Sequence, residues 1–460
     1  MSALVRALLS ASRDAPGLVV LRDEESRAEH AGDESGLPST LPGAVVLAHD
    51  AHEVAAVLRA ASAHYVPVTP RGGATGKSGG AIPDQDGIAL VLTGLSRSLE
   101  VDAEDRVLIA SANVTTLQVH EAARDAGLYY APDPSSWLTS TLGGNIATNA
   151  SGPSSLKHGD TSRWTWGLEV VTGSGVLLSM PRRTSKSSVG YDLVSLFAGS
   201  EGTLGVITKA WMRLEAAPER VVLACVLLRA LSDVQAAFTA LDKARLSPRC
   251  IELLDDATLA VMRREKSQSA LLREGVEAVL LIELEGSERA VDADLETLAN
   301  ALDPFALDVL LAKNEKERDA FWKVRREMSY ALKRSANFKL SDDVVVPRSK
   351  VGALIGVCRT LGEAHGIAMP SYGHAGDGNL HVNFLWDDEA QKPDVVRAMD
   401  ALFDEVIALG GTLSGEHGLG RAKARYLSLV HSAERIAYQR DVKRVFDPRG
   451  VLNRDKVLPA

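Results

Sequence analysis

The stretch SYGHAGDGNLHVNF, Ser371 to Phe384, sets two histidines, an aspartate and two asparagines among three glycines. Glycine frees the backbone for tight turns and costs helix stability, so the stretch reads as a turn and then a strand. Within the strand, Leu380, Val382 and Phe384 alternate with His381 and Asn383, which puts the polar pair on one face. A turn that folds His374 back over that face makes two imidazoles converge. A second polar turn, Gly415-Glu416-His417-Gly418-Leu419-Gly420, adds a carboxylate and a third imidazole. Two histidines and one carboxylate suit zinc or a first-row transition metal. For either turn alone, a glycine-rich turn with backbone-bonded histidines is an equal reading; together they favour a site.

Working outward, 460 residues suffice for two or three domains with substantial cores, and 45% hydrophobic with 24% charged residues is ordinary globular usage. A net charge of −9 with no basic stripe argues against generic nucleic-acid binding. Cys225, Cys250 and Cys358 are scattered without a CxxC, so neither a disulfide framework nor a cysteine metal site is expected, and a reducing compartment fits. The first residues, MSALVRALLSASRDAPG, read as a surface helix with Leu4, Leu8 and Leu9 on one side rather than as a signal sequence. The longest apolar run, Val221–Leu228, is far too short to span a bilayer.

Upstream lies the run Arg71-Gly72-Gly73-Ala74-Thr75-Gly76-Lys77-Ser78-Gly79-Gly80, whose glycines let successive N–H groups approach an anion. Its Gly76-Lys77-Ser78 imitates the end of a P-loop. That motif needs glycine where Arg71 stands and must launch a helix, whereas Gly79, Gly80 and Pro83 follow. No GxGxxG follows a strand, so a Rossmann nicotinamide domain is unsupported. A small-residue stretch from Pro132 to Gly152 reads as a long loop able to wrap a polar ligand. From Val221 to Asp308 strands and helices alternate. The helix from about Glu315 to Arg334 sets Trp322, Arg325 and Ser329 on one face, beside an apolar face of Phe321, Val324, Met328 and Leu332. A further helix, about Pro393–Leu409, carries Val396, Met399, Leu402, Phe403 and Val406.

GHAGDGNLHVN and GEHGLG together resemble the paired signatures of the FAD-dependent D-2-hydroxy-acid dehydrogenases, flavoproteins of the vanillyl-alcohol-oxidase type that oxidise D-lactate, D-2-hydroxyglutarate or glycolate. The glycine loop resembles that fold's pyrophosphate-binding loop. Leu142–Gly152 is similar to its second flavin-contacting segment, and Leu196–Thr208 to its last flavin motif. The tail resembles a closing LNPxKVL, with Arg454 in place of proline, and His158 stands where the family often has an aromatic. The resemblance implies FAD contacts at Pro70, Arg71, Gly72, Gly73, Ala74, Thr75, Gly76 and Gly79. It implies further contacts at Pro132, Asp133, Pro134, Ser140, Thr141, Gly143, Gly144, Asn145, Thr148, Asn149 and Gly152, and at Glu201, Gly202, Gly205, Ile207 and Asn453. It also implies a substrate-carboxylate arginine at Arg325, with Lys339 as a second contact.

The fold expected is α+β, a vanillyl-alcohol-oxidase or PCMH-type FAD-binding domain with an α+β cap domain and a C-terminal segment returning to the flavin. The expected division is an N-terminal helical segment 1–36, FAD-binding domain 37–215, cap 216–400 and C-terminal segment 401–460. The expected reaction is oxidation of a small D-2-hydroxy acid by non-covalent FAD. A divalent metal, zinc by preference, sits on His374, His381 and Glu416; His417 is the base and Asn383 bonds the substrate. The adjacent side chains of Glu416 and His417 are expected to diverge. Other readings are a non-redox FAD-binding transferase of the same fold and a two-histidine, one-carboxylate iron enzyme. A quinone, electron-transfer flavoprotein or cytochrome is the expected electron acceptor. No nucleic-acid partner is expected, a homodimer is left open, and the location expected is cytoplasmic, with peripheral contact at the inner membrane left open.

Overall fold

A computed structural model describes residues 1–265 and 270–459. They fall into two compact units. One comprises Met1–Ser151, Gly159–Ala217 and Glu416–Ala460, the other Gly152–His158 and Pro218–Gly415. Residues 1–36 therefore belong with the first unit and residues 401–415 with the second.

In the first unit, β1 (Val19–Leu21), β2 (Ala44–Leu47), β3 (Val68–Arg71) and β4 (Ile88–Val91) form one sheet in the order β1-β2-β4-β3. β2 and β3 both run parallel to β4. Parallel strands need a crossover, and the helix Ala51–His64 supplies the one between β2 and β3, burying Val54, Val57, Leu58 and Ala61. The N-terminal helix Ala3–Asp14 buries Ala7, Leu8 and Ala11, whereas Leu9 is 52% exposed. Leu9 lies about 100° round the helix from Leu8, which turns it off the buried stripe.

A second sheet contains β5 (Leu99–Asp102) and β6 (Val107–Ser111); β7 (Leu128–Tyr129) lies apart from it. β8 (Thr165–Thr172), β9 (Leu177–Met180) and β10 (Gly205–Arg213) complete it in the order β5-β6-β10-β8-β9. β11 (Glu215–Ala216) pairs with β7. The stretch expected to be loop from Leu142 onward is instead a helix, Leu142–Thr148. The Thr141 hydroxyl caps it by accepting from Gly144 N–H, and Asn149 ends it in the left-handed conformation. Gly143 stays glycine there because an added Cβ would lie 2.6 Å from that of Ala112.

The second unit is built on β12 (Arg220–Leu228), β13 (Cys250–Leu254), β14 (Ala278–Gly286), β15 (Ala306–Leu311), β16 (Phe338–Val345), β17 (Ser371–Gly373) and β18 (Asn379–Trp386). All pair antiparallel in the order β15-β12-β14-β13-β17-β18-β16. Directly opposite residues share a face, so the register places Leu223, Cys225, Cys250, Leu254 and Leu281 on one side. Trp322, Met328 and Leu332 of the helix Glu315–Arg334 pack in the same cluster. The helix Lys392–Ala408 buries Val395, Ala398, Leu402, Phe403 and Val406. Val396 is 38% exposed, because Val395 and not Val396 lies in line with Ala398 and Leu402 at i+3 and i+7. Among the described residues no helix is long and apolar enough to cross a membrane.

Candidate functional site

The first unit holds an open cleft. Pro70, Gly72, Gly73, Ala74, Thr75 and Gly76 line one part of it. Pro134, Ser140, Thr141, Gly143, Gly144, Asn145 and Thr148 line another, and Glu201, Gly202, Gly205, Ile207 and Asn453 a third. The glycine loop packs tightly on its neighbour: a Cβ on Gly72 would meet the Thr141 hydroxyl at 2.4 Å, and one on Gly73 the Thr139 carbonyl at 2.7 Å. A wall of glycine backbone, small hydroxyls and amides with few charges fits a long polar ligand held by backbone donors.

Other expected contacts lie off the cleft wall. Arg71 is buried and its guanidinium donates to the carbonyls of Ala81 and Gly32. Gly79 takes φ +79° at a turn beside Leu37. The Pro132 carbonyl is within 2.9 Å of the His120 ring, and Asp133 also stands outside the lining. Asn149 is spent on Asp160 and on Ser162 N–H. Gly152 belongs to the second unit, where its N–H bonds the Ser155 hydroxyl.

Glu416 and His417 also line the cleft. Their side chains do not diverge: His417 Nε2 lies 3.9 Å from Glu416 Oε1, and Glu416 Oε2 accepts from the Ser151 hydroxyl at 3.2 Å. Glu201 anchors the turn just downstream of this pair. It sits in a left-handed conformation at φ 50°, held by Asn453 Nδ2 on its carbonyl at 2.6 Å. Its carboxylate accepts from Leu419 N–H at 2.8 Å and Gly420 N–H at 2.9 Å. Burial pushes this carboxyl up to about 7, against the pull of those bonds and of Lys423 and Lys456.

In the second unit the strand register gathers the remaining candidates on one sheet face. Leu254 lies opposite Tyr372, Tyr372 opposite His381, His381 opposite Asp343, Asn383 opposite Ser341 and Leu385 opposite Lys339. His374, brought back by the glycine turn, meets His381 with ring centroids 5.3 Å apart at 78°, both rings buried. Gly376 in that turn admits no side chain, since a Cβ would lie 2.5 Å from Leu156.

Helix Glu315–Arg334 carries its polar face toward the same side. Trp322 Nε1 donates to Glu283 at 2.6 Å, Arg325 Nε to Glu252 at 2.6 Å, and Lys339 Nζ reaches the Ser329 hydroxyl at 2.6 Å. The Arg325 guanidinium lies 4.7 Å from the Tyr372 ring centre, and its terminal nitrogens make no hydrogen bond among the described residues. Asn383 is fully buried, its Nδ2 donating to the carbonyls of Pro370 and His381, and its Oδ1 has no partner among the described residues.

Sequence reasoning missed Glu252. It lies in mid-β13, 0% exposed, with Oε2 on Arg325 and Oε1 2.5 Å from His374 Nδ1. Burial would raise its pKa, but Arg325 and His374 outweigh that and hold it at about 2. The available signal was a glutamate inside an apolar strand, which is rarely buried unless paired. Asp343 was passed over likewise. It accepts from the Ser414 hydroxyl and, at 2.7 Å, from Gly415 N–H, while standing opposite His381. Glu416 comes next in the chain after Gly415. Two buried imidazoles, one with Nδ1 taken by a carboxylate, fit a divalent metal; the pattern is that of a ligating histidine and its supporting acid.

Comparison with known sequences matches residues 42–180 to an FAD binding domain and residues 217–457 to the C-terminal domain of FAD linked oxidases. The chain is 35% identical to the glycolate oxidase subunit GlcD of Bacillus subtilis, over 91% of this chain and 89% of that protein. It is 35% identical to a D-lactate dehydrogenase of Archaeoglobus fulgidus, over 90% and 91%. It is 33% identical to a D-2-hydroxyglutarate dehydrogenase of Stutzerimonas stutzeri, over 96% of each. Among solved structures, p-cresol methylhydroxylase superposes with a TM-score of 0.80 at 14% identity, covering 99% of this chain and 96% of that one. An alkyldihydroxyacetonephosphate synthase gives 0.75 at 20%, covering 98% and 85%. At these identities the two structures share the fold alone, which is the PCMH-type α+β architecture expected from the motifs.

Proposed function

Because this chain belongs to the FAD-linked oxidases, we propose that it oxidises a small D-2-hydroxy acid to the 2-oxo acid, with FAD held non-covalently in the first unit's cleft. Glycolate, D-lactate and D-2-hydroxyglutarate, the compounds in its relatives' names, share one 2-hydroxycarboxylate unit. The observation that carries the reading is Arg325, anchored at Nε and stacked on Tyr372 with its terminal nitrogens open.

The glycine loop Gly72–Gly76 would hold the pyrophosphate; the residues around Gly143–Thr148 and Glu201–Ile207 would hold the rest of the cofactor. FAD, when bound, supplies the acceptor for the hydride that leaves the substrate carbon. A divalent ion, zinc by preference, would be held by His374, His381 and Glu416, and supplies a Lewis acid beside the substrate hydroxyl. Arg325 clamps the substrate carboxylate with its planar fork, and Lys339 adds a point charge. Asn383, fixed by its two carbonyl contacts, would hydrogen-bond the substrate. His417 takes the hydroxyl proton. The electrons then pass to a quinone, an electron-transfer flavoprotein or a cytochrome.

Anaerobic mixing with a panel of D- and L-2-hydroxy acids tests the reading. A D-acid should bleach the flavin absorbance, and acid precipitation should release the yellow cofactor to the supernatant. A flavin that no 2-hydroxy acid reduces would point to a non-redox transferase; a yellow pellet would refute the non-covalent bond.

A further inference from the structure

We infer that Glu252 is a positioning residue for this reaction, one buried carboxylate that selects the tautomer of His374 and orients the fork of Arg325. The inference rests on the reading that His374 ligates a metal and Arg325 binds the substrate carboxylate.

Glu252 lies between Ile251 and Leu253 with no solvent exposure. Taking a carboxylate out of water costs several kcal/mol, so it persists only with partners. Its two oxygens face different ones: Oε1 lies 2.5 Å from His374 Nδ1, and Oε2 2.6 Å from Arg325 Nε. An ionised carboxylate only accepts hydrogen bonds. His374 therefore carries a hydrogen on Nδ1, which leaves Nε2 as the nitrogen whose lone pair can reach a cation. On the other side, the bond at Nε holds the guanidinium over the Tyr372 ring and leaves the two terminal nitrogens for a carboxylate. Two functional groups on separate elements, the glycine turn and the helix Glu315–Arg334, thus take their orientation from one side chain of β13.

A carboxylate that served only as a counter-ion for Arg325 would need no second acceptor on His374. Glu252→Gln separates the two roles. Arginine has no acceptor, so the glutamine carbonyl oxygen must take Arg325 Nε, and its amide N–H then faces His374 Nδ1. Nδ1 has to accept, and the ring hydrogen moves to Nε2, the ligating position.

The experiment is a Zn²⁺ titration of FAD-containing protein stripped of metal by chelation, read against a chromophoric zinc chelator. Glu252→Gln should weaken the zinc Kd by roughly 10- to 100-fold while flavin content stays at the wild-type level. An unchanged zinc Kd in folded, yellow Glu252→Gln would overturn the inference and leave the metal reading intact. A wild type that takes up no zinc would overturn both. Should Glu252→Gln fail to retain FAD, Glu252→Asp carries the same expectation: it keeps the charge but is one methylene too short to serve both partners.

Discussion

The Asp343 carboxylate accepts the backbone N–H of Gly415 at 2.7 Å, one residue before Glu416. It takes the Ser414 hydroxyl as well, and it stands across the β16–β18 ladder from His381. Asp343→Ala removes the shared acceptor of two part-buried donors, and a hydrogen bond to a charged group contributes about 1.5–3 kcal/mol. The turn should shift, and kcat/KM should fall at least about tenfold with the flavin spectrum unchanged. Steady-state kinetics at matched FAD content decide it; near-wild-type turnover would mean the turn is held by other contacts.

The proposed metal set separates four variants by what they lose. His374→Ala, His381→Ala and Glu416→Ala should lose bound metal and activity but retain FAD, and chelation of the wild type should mimic them. His417→Ala should keep metal and FAD while kcat falls by roughly a hundredfold or more. Metal analysis of the purified variants is the check. Loss of metal from His417→Ala would reverse the roles given to this adjacent pair, whose side chains lie 3.9 Å apart.

Arg325→Lys keeps a positive charge but loses both the fork and the Nε bond to Glu252. A fall in kcat/KM of about tenfold or more, one decade per ~1.4 kcal/mol, is expected with FAD content unchanged. Kinetics across the hydroxy-acid panel give the answer, and a KM within error of wild type would remove Arg325 from the substrate site.

Burial raises the Glu201 carboxyl from 4.5 in the reference state to about 7 in the fold. Between those values the unfolded chain has lost this proton and the folded one keeps it, so stability from this group falls as pH rises through that window. Above it the contribution stays constant. The whole effect is at most about 3 kcal/mol at 1.36 kcal/mol per unit. Glu201→Gln should flatten the slope of denaturant-unfolding free energy between pH 4.5 and 7. The slope is the readout, since losing one acceptor for Leu419 or Gly420 also lowers stability at every pH. An identical slope in both proteins would show that Glu201 ionises normally.

Local chemistry made much of this protein legible. The helix Glu315–Arg334 follows from its periodicity, and the strand Asn379–Trp386 with its His381–Asn383 face follows from alternation after a glycine turn. The glycine loop fails as a P-loop at Arg71 and at the Gly79, Gly80 and Pro83 that follow it, and long motifs carried the family. Residues 142–148 misled because two glycines suggest loop, while the Thr141 cap and the close approach to Ala112 make a helix there. What one chain's spacing could not disclose is pairing between distant segments. Glu252 reads as one polar letter in an apolar strand until β13 sets it beside residues 73 and 122 positions away. Glu201 likewise becomes the anchor of a turn more than two hundred residues downstream only when the chain closes on itself. Buried charge must find partners, and periodicity shows that a partner is required; which residue answers is decided by tertiary packing.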